Sequence, residues 1–365
     1  MIDFEKGLVN RGNWYALQGV MKRAAKGERV TIGFLGGSIT QGSLASKQEN
    51  CYASRVFSWW SAHFPRVELI NAGIGGTTSQ FGAARVEEDL LQYHPDVIFV
   101  EFSVNDDNTP FFRETYEGLV RRILRSGVAV MLLHNVRYDN MVSAEDIHLE
   151  IGRHYCLPCL SMKSTIFPLV ASGVLPNRQI TPDDLHPNDL GHQMVASVIT
   201  HFLEQIRTAE QPDEKPAPMP APLTENQYEH SVRYQNGNAD PVLEGFSVDD
   251  TPQEHITQMF RRGYTAWHQG DRITFQVEGT GIAVQYRKSV RKPAPIARVV
   301  VDDDPGTETL LDANFDEDWG DCLYIDTVLY HGENKCHKVE ITIAQAHPDD
   351  LVPFYLVSVI GSQGE

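Results

Sequence analysis

The chain has 365 residues, is 41% hydrophobic and carries a formal net charge of −18, so it holds enough apolar material for two packed domains of ordinary size. The acidic balance argues against nucleic acid and anionic membrane surfaces as partners, because both require a basic patch. No window is apolar for long enough to span a bilayer. The N-terminus Met1-Ile-Asp-Phe-Glu-Lys6 lacks the apolar h-region of a secretory leader, so the expected location is the cytoplasm. The five cysteines (Cys51, Cys156, Cys159, Cys322 and Cys336) are an odd number and too sparse for a disulfide framework; reduced thiols are expected.

In chain order, residues 1–210 alternate short apolar runs with helical periodicity. Val30–Leu35, Val67–Asn71, Val97–Phe102 and Val128–Leu133 read as strands, and Cys156–Leu160 as a weaker fifth. The continuous apolar character of Val128–Leu133 suits a strand buried on both faces. Between them, Val56, Trp59, Trp60, His63 and Phe64 recur at helical spacing, as do Tyr116, Leu119, Val120, Ile123 and Leu124, and a further helix is expected from Asp189 to about Arg207. Strands alternating with helices predict an α/β domain, a parallel sheet covered on both faces. Residues 211–223 hold five prolines and almost nothing to bury, which predicts an extended, semi-rigid linker. Residues 224–365 then carry strand-like segments at Arg272–Glu278, Gly281–Arg287, Ala297–Asp302, Leu323–Tyr330, His337–Ile343 and Pro353–Ile360, several with period-two alternation. This predicts an all-β sandwich of about seven to nine strands.

Four loops in the first part carry chemistry. Gly36-Gly37-Ser38 ends an apolar strand, and its glycines let the backbone turn and expose the hydroxyl. A serine hydroxyl needs an adjacent base to act as a nucleophile near neutral pH. Asn71-Ala-Gly-Ile-Gly-Gly-Thr77 follows a strand with amides that no side chain shields. Asn105, after Val97–Phe102, has a side-chain amide able to donate to a developing oxyanion. Asp183-Asp-Leu-His-Pro-Asn188 places an acid three residues before a histidine, so that a carboxylate can orient the imidazole and stabilise its cation. Asp184 competes with Asp183 for that role, but its neighbouring position points it elsewhere. Read as ordinary structure, the same segments are turns, an Asx turn and an acidic loop with Asp189 as a helix N-cap. Because Ser38, Gly76 and Asn105 all fall just past strand ends, on the rim where sites in parallel sheets gather, the reading as the equipment of an acyl-transfer hydrolase prevails.

With these four blocks in order, the chain resembles the SGNH hydrolases, the GDSL-like esterase superfamily, over about its first 200 residues. The resemblance implies a flavodoxin-like α/β/α domain with Ser38 as nucleophile, His186 as base and Asp183 as its orienting acid. It implies an oxyanion hole from the Ser38 amide, the Gly76 amide and the Asn105 side chain; Gly73 and Gly75 remain open as the glycine donor. Two positions depart from the family pattern: Gly37 stands where Gly-Asp-Ser has its acid, and Ser103 where Gly-x-Asn-Asp has its glycine. Neither is a reacting group, and both departures occur in branches acting on carbohydrates. The whole chain is similar to two-domain bacterial carbohydrate esterases in which a β-sandwich (jelly-roll) resembling a carbohydrate-binding module follows the hydrolase domain. That likeness implies acetylated plant polysaccharide or its oligosaccharides as the partner, 2-O-acetyl mannan being the nearest match, with no cofactor or metal. A homo-oligomer stays open. The alternatives are a lipid-type esterase or thioesterase, and a non-catalytic glycan-binding protein.

Other residues have two readings each. His134, Asn135 and Arg137 follow the fourth strand and either line the substrate pocket or satisfy loop backbone. Trp267, Trp319, Tyr324 and Tyr330 in the second part either stack on sugar rings or serve packing. The Cys156-x-x-Cys159 pair lacks the further ligands a zinc site needs and is expected to be structural.

Overall fold

A computed structural model describes residues 2–364 and divides them into two units, 1–226 and 227–365. In the first, the elements run β1 (Leu8–Asn10), α1 (Tyr15–Ala25), β2 (Val30–Gly36), α2 (Ser38–Gln41), α3 (Tyr52–His63), β3 (Val67–Gly73), α4 (Ser79–Asp89), β4 (Val97–Glu101), α5 (Pro110–Arg125), β5 (Ala129–His134), α6 (Glu145–His154), β6 (Cys159–Ser161), α7 (Phe167–Ala171) and α8 (Asp189–Thr208). The sheet order is β1-β6-β5-β4-β2-β3. From β3 to β6 every pairing is parallel, and β1 joins the β6 edge antiparallel. The parallel core has the flavodoxin-like order, as expected.

Burial explains why the apolar runs are continuous. Every residue of β2, β4 and β5 is buried, because α1, α3 and α8 cover one face and α4, α5 and α6 the other. Edge strand β3 is only half-buried along Val67–Asn71 and so tolerates Glu68. Three-residue β1 was not legible in the sequence, being too short to show a period. α8 begins where expected, but its N-cap is Asn188, whose side chain accepts from the amides of Leu190 and Gly191. Asp189 instead holds Ser46 and Asn50 of the loop after α2.

Residues 211–223, read as a linker, belong to the first unit and are fastened to it. Asp213 pairs with Arg11 and accepts the Trp14 amide. The carbonyls of Pro220 and Ala221 accept from Arg121 and His154. At the far end, the buried Glu117 carboxylate of α5 accepts the amides of Leu223 and Thr224 and the hydroxyls of Thr224 and Tyr155. Proline removes donors and fixes φ but does not stop a segment being bound by its carbonyls and its few acids.

The second unit holds β7 (Val232–Tyr234), β8 (Val242–Glu244), β9 (Ser247–Val248), β10 (Tyr264–Ala266), β11 (Arg272–Gly279), β12 (Gly281–Lys288), β13 (Ile296–Val301), β14 (Asp304–Asp312), β15 (Cys322–Leu329), β16 (Lys335–Gln345) and β17 (Phe354–Ser362). They form two antiparallel sheets, β15-β12-β17-β10-β9 with β7 beside β17, and β14-β13-β16-β11-β8. Ile282, Val284, Phe354 and Leu356 of the first meet Phe275, Val299, Val339 and Ile341 of the second in one core, a sandwich of eleven strands. The six strong alternating segments are all strands. The additional ones are short or, like β14 with Pro305 and a mostly exposed run of Asp, Thr and Glu, lie at a sheet edge.

Glu117→Ala would leave the Leu223 and Thr224 amides and the buried Tyr155 hydroxyl without their acceptor. It is expected to destabilise the first unit by about 2–4 kcal/mol, read as a lower urea midpoint, with faster cleavage of residues 209–223 by a nonspecific protease. An unchanged midpoint and cleavage rate would show that this anchor carries no stability.

Candidate active site

Four segments build the site, three of them just past the C-terminal ends of β2, β3 and β4. Ser38 follows β2 directly at the first position of α2 and is nearly buried. Its hydroxyl donates to His186 Nε2 over 2.7 Å, and His186 Nδ1 donates to Asp183 Oδ2 over 2.6 Å. With Nδ1–H committed to Asp183, Nε2 is left as the acceptor facing the serine. The second Asp183 oxygen, Oδ1, accepts the amides of Leu185 and His186 and the Thr181 hydroxyl. Burial alone would raise the Asp183 carboxyl, but hydrogen bonds from the His186 ring and from the amides of His186 and Leu185 outweigh it and hold the group down at about 2. Asp183 is therefore a carboxylate throughout the neutral range.

The neighbouring acid is turned away. Asp184 adopts φ +69° and pairs with Arg178 at 2.8 Å and with Asn177, while its carbonyl accepts the Tyr138 amide. The loop after β5 thus fastens the loop that carries the acid and base.

Three amides have no protein acceptor among the described residues: the Ser38 amide, the Gly76 amide and the Asn105 side-chain amide. The Gly73 amide is taken by Asn71 Oδ1 at 3.0 Å and the Gly75 amide by Gln41 Oε1 at 2.7 Å, which leaves Gly76, whose φ of +69° suits glycine. Asn105 explains the departure at Gly37. A Cβ at position 37 would lie 2.2 Å from Asn105 Oδ1, so the asparagine occupies the volume that the family's aspartate side chain would claim. Gln41 was missed by sequence reading because its role appears only when the turn of α2 brings it over the glycine loop.

The remaining candidates separate. His134 has no exposed surface and neither ring nitrogen has a partner; burial pushes its pKa well down, so it is a neutral interior ring and cannot line an accessible pocket. Asn135 is 3% exposed and its carbonyl accepts from Ser103 and Ser143, so it braces the loop from inside. Only Arg137 reaches solvent, paired with Asp139. In the sandwich, the pairings Ala266 with Phe354 and Lys288 with Cys322 bring the exposed Trp267, Trp319 and Tyr324 to one end. Tyr330 lies at the other end, beyond Leu329 opposite Ile282, so one surface cannot use all four. The Lys288 ammonium sits 4.2 Å over the Tyr324 ring and takes one of its faces. Cys156 and Cys159 are free thiols, and burial pushes the Cys159 thiol up to about 12, as suits a structural cysteine. No group of metal-ligating side chains occurs among the described residues, nor does any helix long and apolar enough to cross a membrane.

Residues 34–194, spanning all four blocks, match the GDSL-like lipase/acylhydrolase family. A solved two-domain esterase active on acetylated mannans is 55% identical over the whole of both chains, with a TM-score of 0.98. The chain belongs to this family. It is a carboxylic ester hydrolase. A second structure of a two-domain esterase active on acetylated mannans, co-crystallised with mannopentaose, is 56% identical and covers 100% of this chain and 99% of its own, with a TM-score of 0.96. The thioesterase 1/protease 1/lysophospholipase L1 of Escherichia coli strain K12 is 28% identical over 196 residues, which are 50% of this chain and 87% of that protein.

Gly37→Ala is expected to lower kcat on a small acetyl ester by about 10²-fold, because it displaces an oxyanion donor, while the melting temperature stays within a few degrees since φ at this position is an ordinary −87°. A wild-type kcat would show that Asn105 has room to move or is not used.

Proposed function

We propose that the protein removes O-acetyl groups from mannan or its oligosaccharides, with Ser38, His186 and Asp183 as a catalytic triad. The observation that carries this reading is the continuous hydrogen-bonded line from Asp183 Oδ2 through His186 to Ser38 Oγ, in a chain matched end to end by an esterase active on acetylated mannans. The 2-O-acetyl group is the target that the resemblance implies.

Ser38 Oγ attacks the acetyl carbonyl carbon as His186 Nε2 takes its proton, and the imidazolium is stabilised by the Asp183 carboxylate. The carbonyl electrons move onto oxygen, where the Ser38 and Gly76 amides and the Asn105 Nδ2 receive them; each such donor is worth about 10²–10³ in rate. Collapse expels the sugar hydroxyl, protonated by His186, and leaves an acetyl-serine. Water then attacks that ester with His186 again as base, acetate leaves, and the serine regains its proton. Every group needed is on the chain, and no cofactor enters.

The sandwich serves as the glycan-holding part in this reading. Its exposed Trp267 and Trp319 at one end supply flat apolar faces of the kind that sugar rings cover. A lipid-type esterase is less well supported, since the thioesterase relative matches half of the chain and none of it argues for the sandwich.

Acetate release from acetylated mannan, acetylated xylan and a longer-chain ester, with wild type and Ser38→Ala side by side, tests the proposal. Acetylated mannan is expected to be the best substrate, and Ser38→Ala to lose at least about 10⁴-fold in kcat. Proton NMR of the residual polymer should show the 2-O-acetyl signals disappearing first. Preference for the longer-chain ester would move the enzyme to lipid-type chemistry, and activity retained in Ser38→Ala would overturn the triad.

A further inference from the structure

Beneath the rim lies a second acid–histidine pair that the chemistry above does not use. Asp106, next to Asn105, has a side chain with no exposed surface, and so has His148 of α6. Asp106 Oδ1 accepts the Ser79 amide at 2.9 Å. Ser79 is the first residue of α4, three positions after Gly76. Asp106 Oδ2 meets His148 Nε2 at 3.0 Å. The imidazole is itself clamped, its ring stacked on Tyr116 of α5 at 3.5 Å between centroids and 8° between planes. One carboxyl group therefore ties three things together: the loop that carries Asn105, the end of the loop that carries Gly76, and the α5–α6 layer. The turn is short, since the Asn105 and Asp106 amides both donate to the Phe102 carbonyl, so fixing Asp106 fixes its neighbour.

Burying this pair is costly. Desolvation pushes Asp106 up to about 8 and His148 down to about 3, which favours a neutral pair, an acid beside a neutral imidazole. Such groups persist when their geometry is needed, since replacing a buried polar pair by apolar residues is often neutral or stabilising. A protonated carboxyl group offers an acceptor in one direction, for the backbone amide, and a donor in the other, for the ring nitrogen.

We propose that Asp106 is a positioning residue of the oxyanion hole: it locks the Asn105 loop to the Gly76 loop so that their two donors are aimed together. This rests on the reading of Asn105 and Gly76 as oxyanion donors. It assigns no proton transfer to Asp106 or His148.

The test compares Asp106→Ala, Asp106→Asn and Asn105→Ala in the full chain, with kcat expressed per active site titrated by a fluorophosphonate. Asp106→Ala is expected to lower kcat per titrated site by about 10–100-fold, with KM changed less than about threefold, as for loss of transition-state stabilisation alone. Asp106→Asn keeps an acceptor for Ser79 and offers a donor to His148, so it should recover most of that loss. A merely structural role would lower the titrated fraction and the melting temperature but leave kcat per site at the wild-type value, and that result overturns the proposal. It is also overturned if Asp106→Asn is as impaired as Asp106→Ala, because the two-directional contact would then not be what matters. Should Asp106→Ala not accumulate, His148→Phe keeps the stack on Tyr116 and removes only the Nε2 contact. It must then lower kcat per site by about 3–10-fold at unchanged KM; a wild-type kcat overturns the proposal. If Asn105→Ala retains full kcat, the oxyanion reading itself fails. If Asn105→Ala is impaired and Asp106→Ala is not, only the present inference fails.

Discussion

The site depends on one contact, the 2.7 Å hydrogen bond between Ser38 and His186, which joins residues 148 apart in sequence. Neither residue is reactive alone: the serine hydroxyl is a weak nucleophile and an exposed histidine is a weak base. What makes them a unit is a parallel sheet that delivers the serine at the end of β2, and a long helix, α8, that anchors the histidine loop above it. Asp189, at the first turn of α8, accepts from Ser46 and Asn50 in the loop after Ser38. The segments bearing nucleophile and base are thus bound to each other beside the reacting atoms as well as through them. This is preorganisation by hydrogen bonds on rigid elements.

The same logic explains how backbone amides are shared out. A rim rich in glycine offers more donors than the chemistry needs, and each surplus amide would compete for the oxyanion or admit water. Asn71 takes the Gly73 amide and Gln41 takes the Gly75 amide. Side-chain acceptors thereby leave the Gly76 amide as the one of these three without a side-chain partner.

Much of this was legible in the sequence. The strands of the first unit show as apolar runs because both faces are covered, and periodicity placed Ser38, Gly76 and Asn105 on one rim. The three-residue spacing from Asp183 to His186 is local, and local geometry carries over from sequence to structure. What was not legible is long-range. The carbonyls of Pro220 and Ala221 find donors on α5 and α6, which no composition rule predicts. His134 ends β5 and Asn135 follows it on the correct rim, yet both are buried, because burial depends on the neighbouring layer rather than on chain position. Edge strands such as β14 lack the alternation by which strands are recognised, since neither neighbour nor core imposes it there.

The interior under the rim holds several buried polar groups without hydrogen-bond partners. Glu101 ends the buried strand β4, and burial lifts its carboxyl to about 7; one of its oxygens, the Oδ1 of Asn105, both nitrogens of His134 and the hydroxyl of Tyr116 have no hydrogen-bond partner. Each such group costs about 1–3 kcal/mol, and a core optimised for stability would replace them with apolar side chains. Around the Asn105 loop, stability is given up for polar groups that hold the loop in place. An oxyanion hole needs that trade. Donors that can relax toward water or backbone carbonyls stabilise the ground state as well as the transition state, and only donors held in place by a rigid, partly unsatisfied interior favour the charge that develops during reaction.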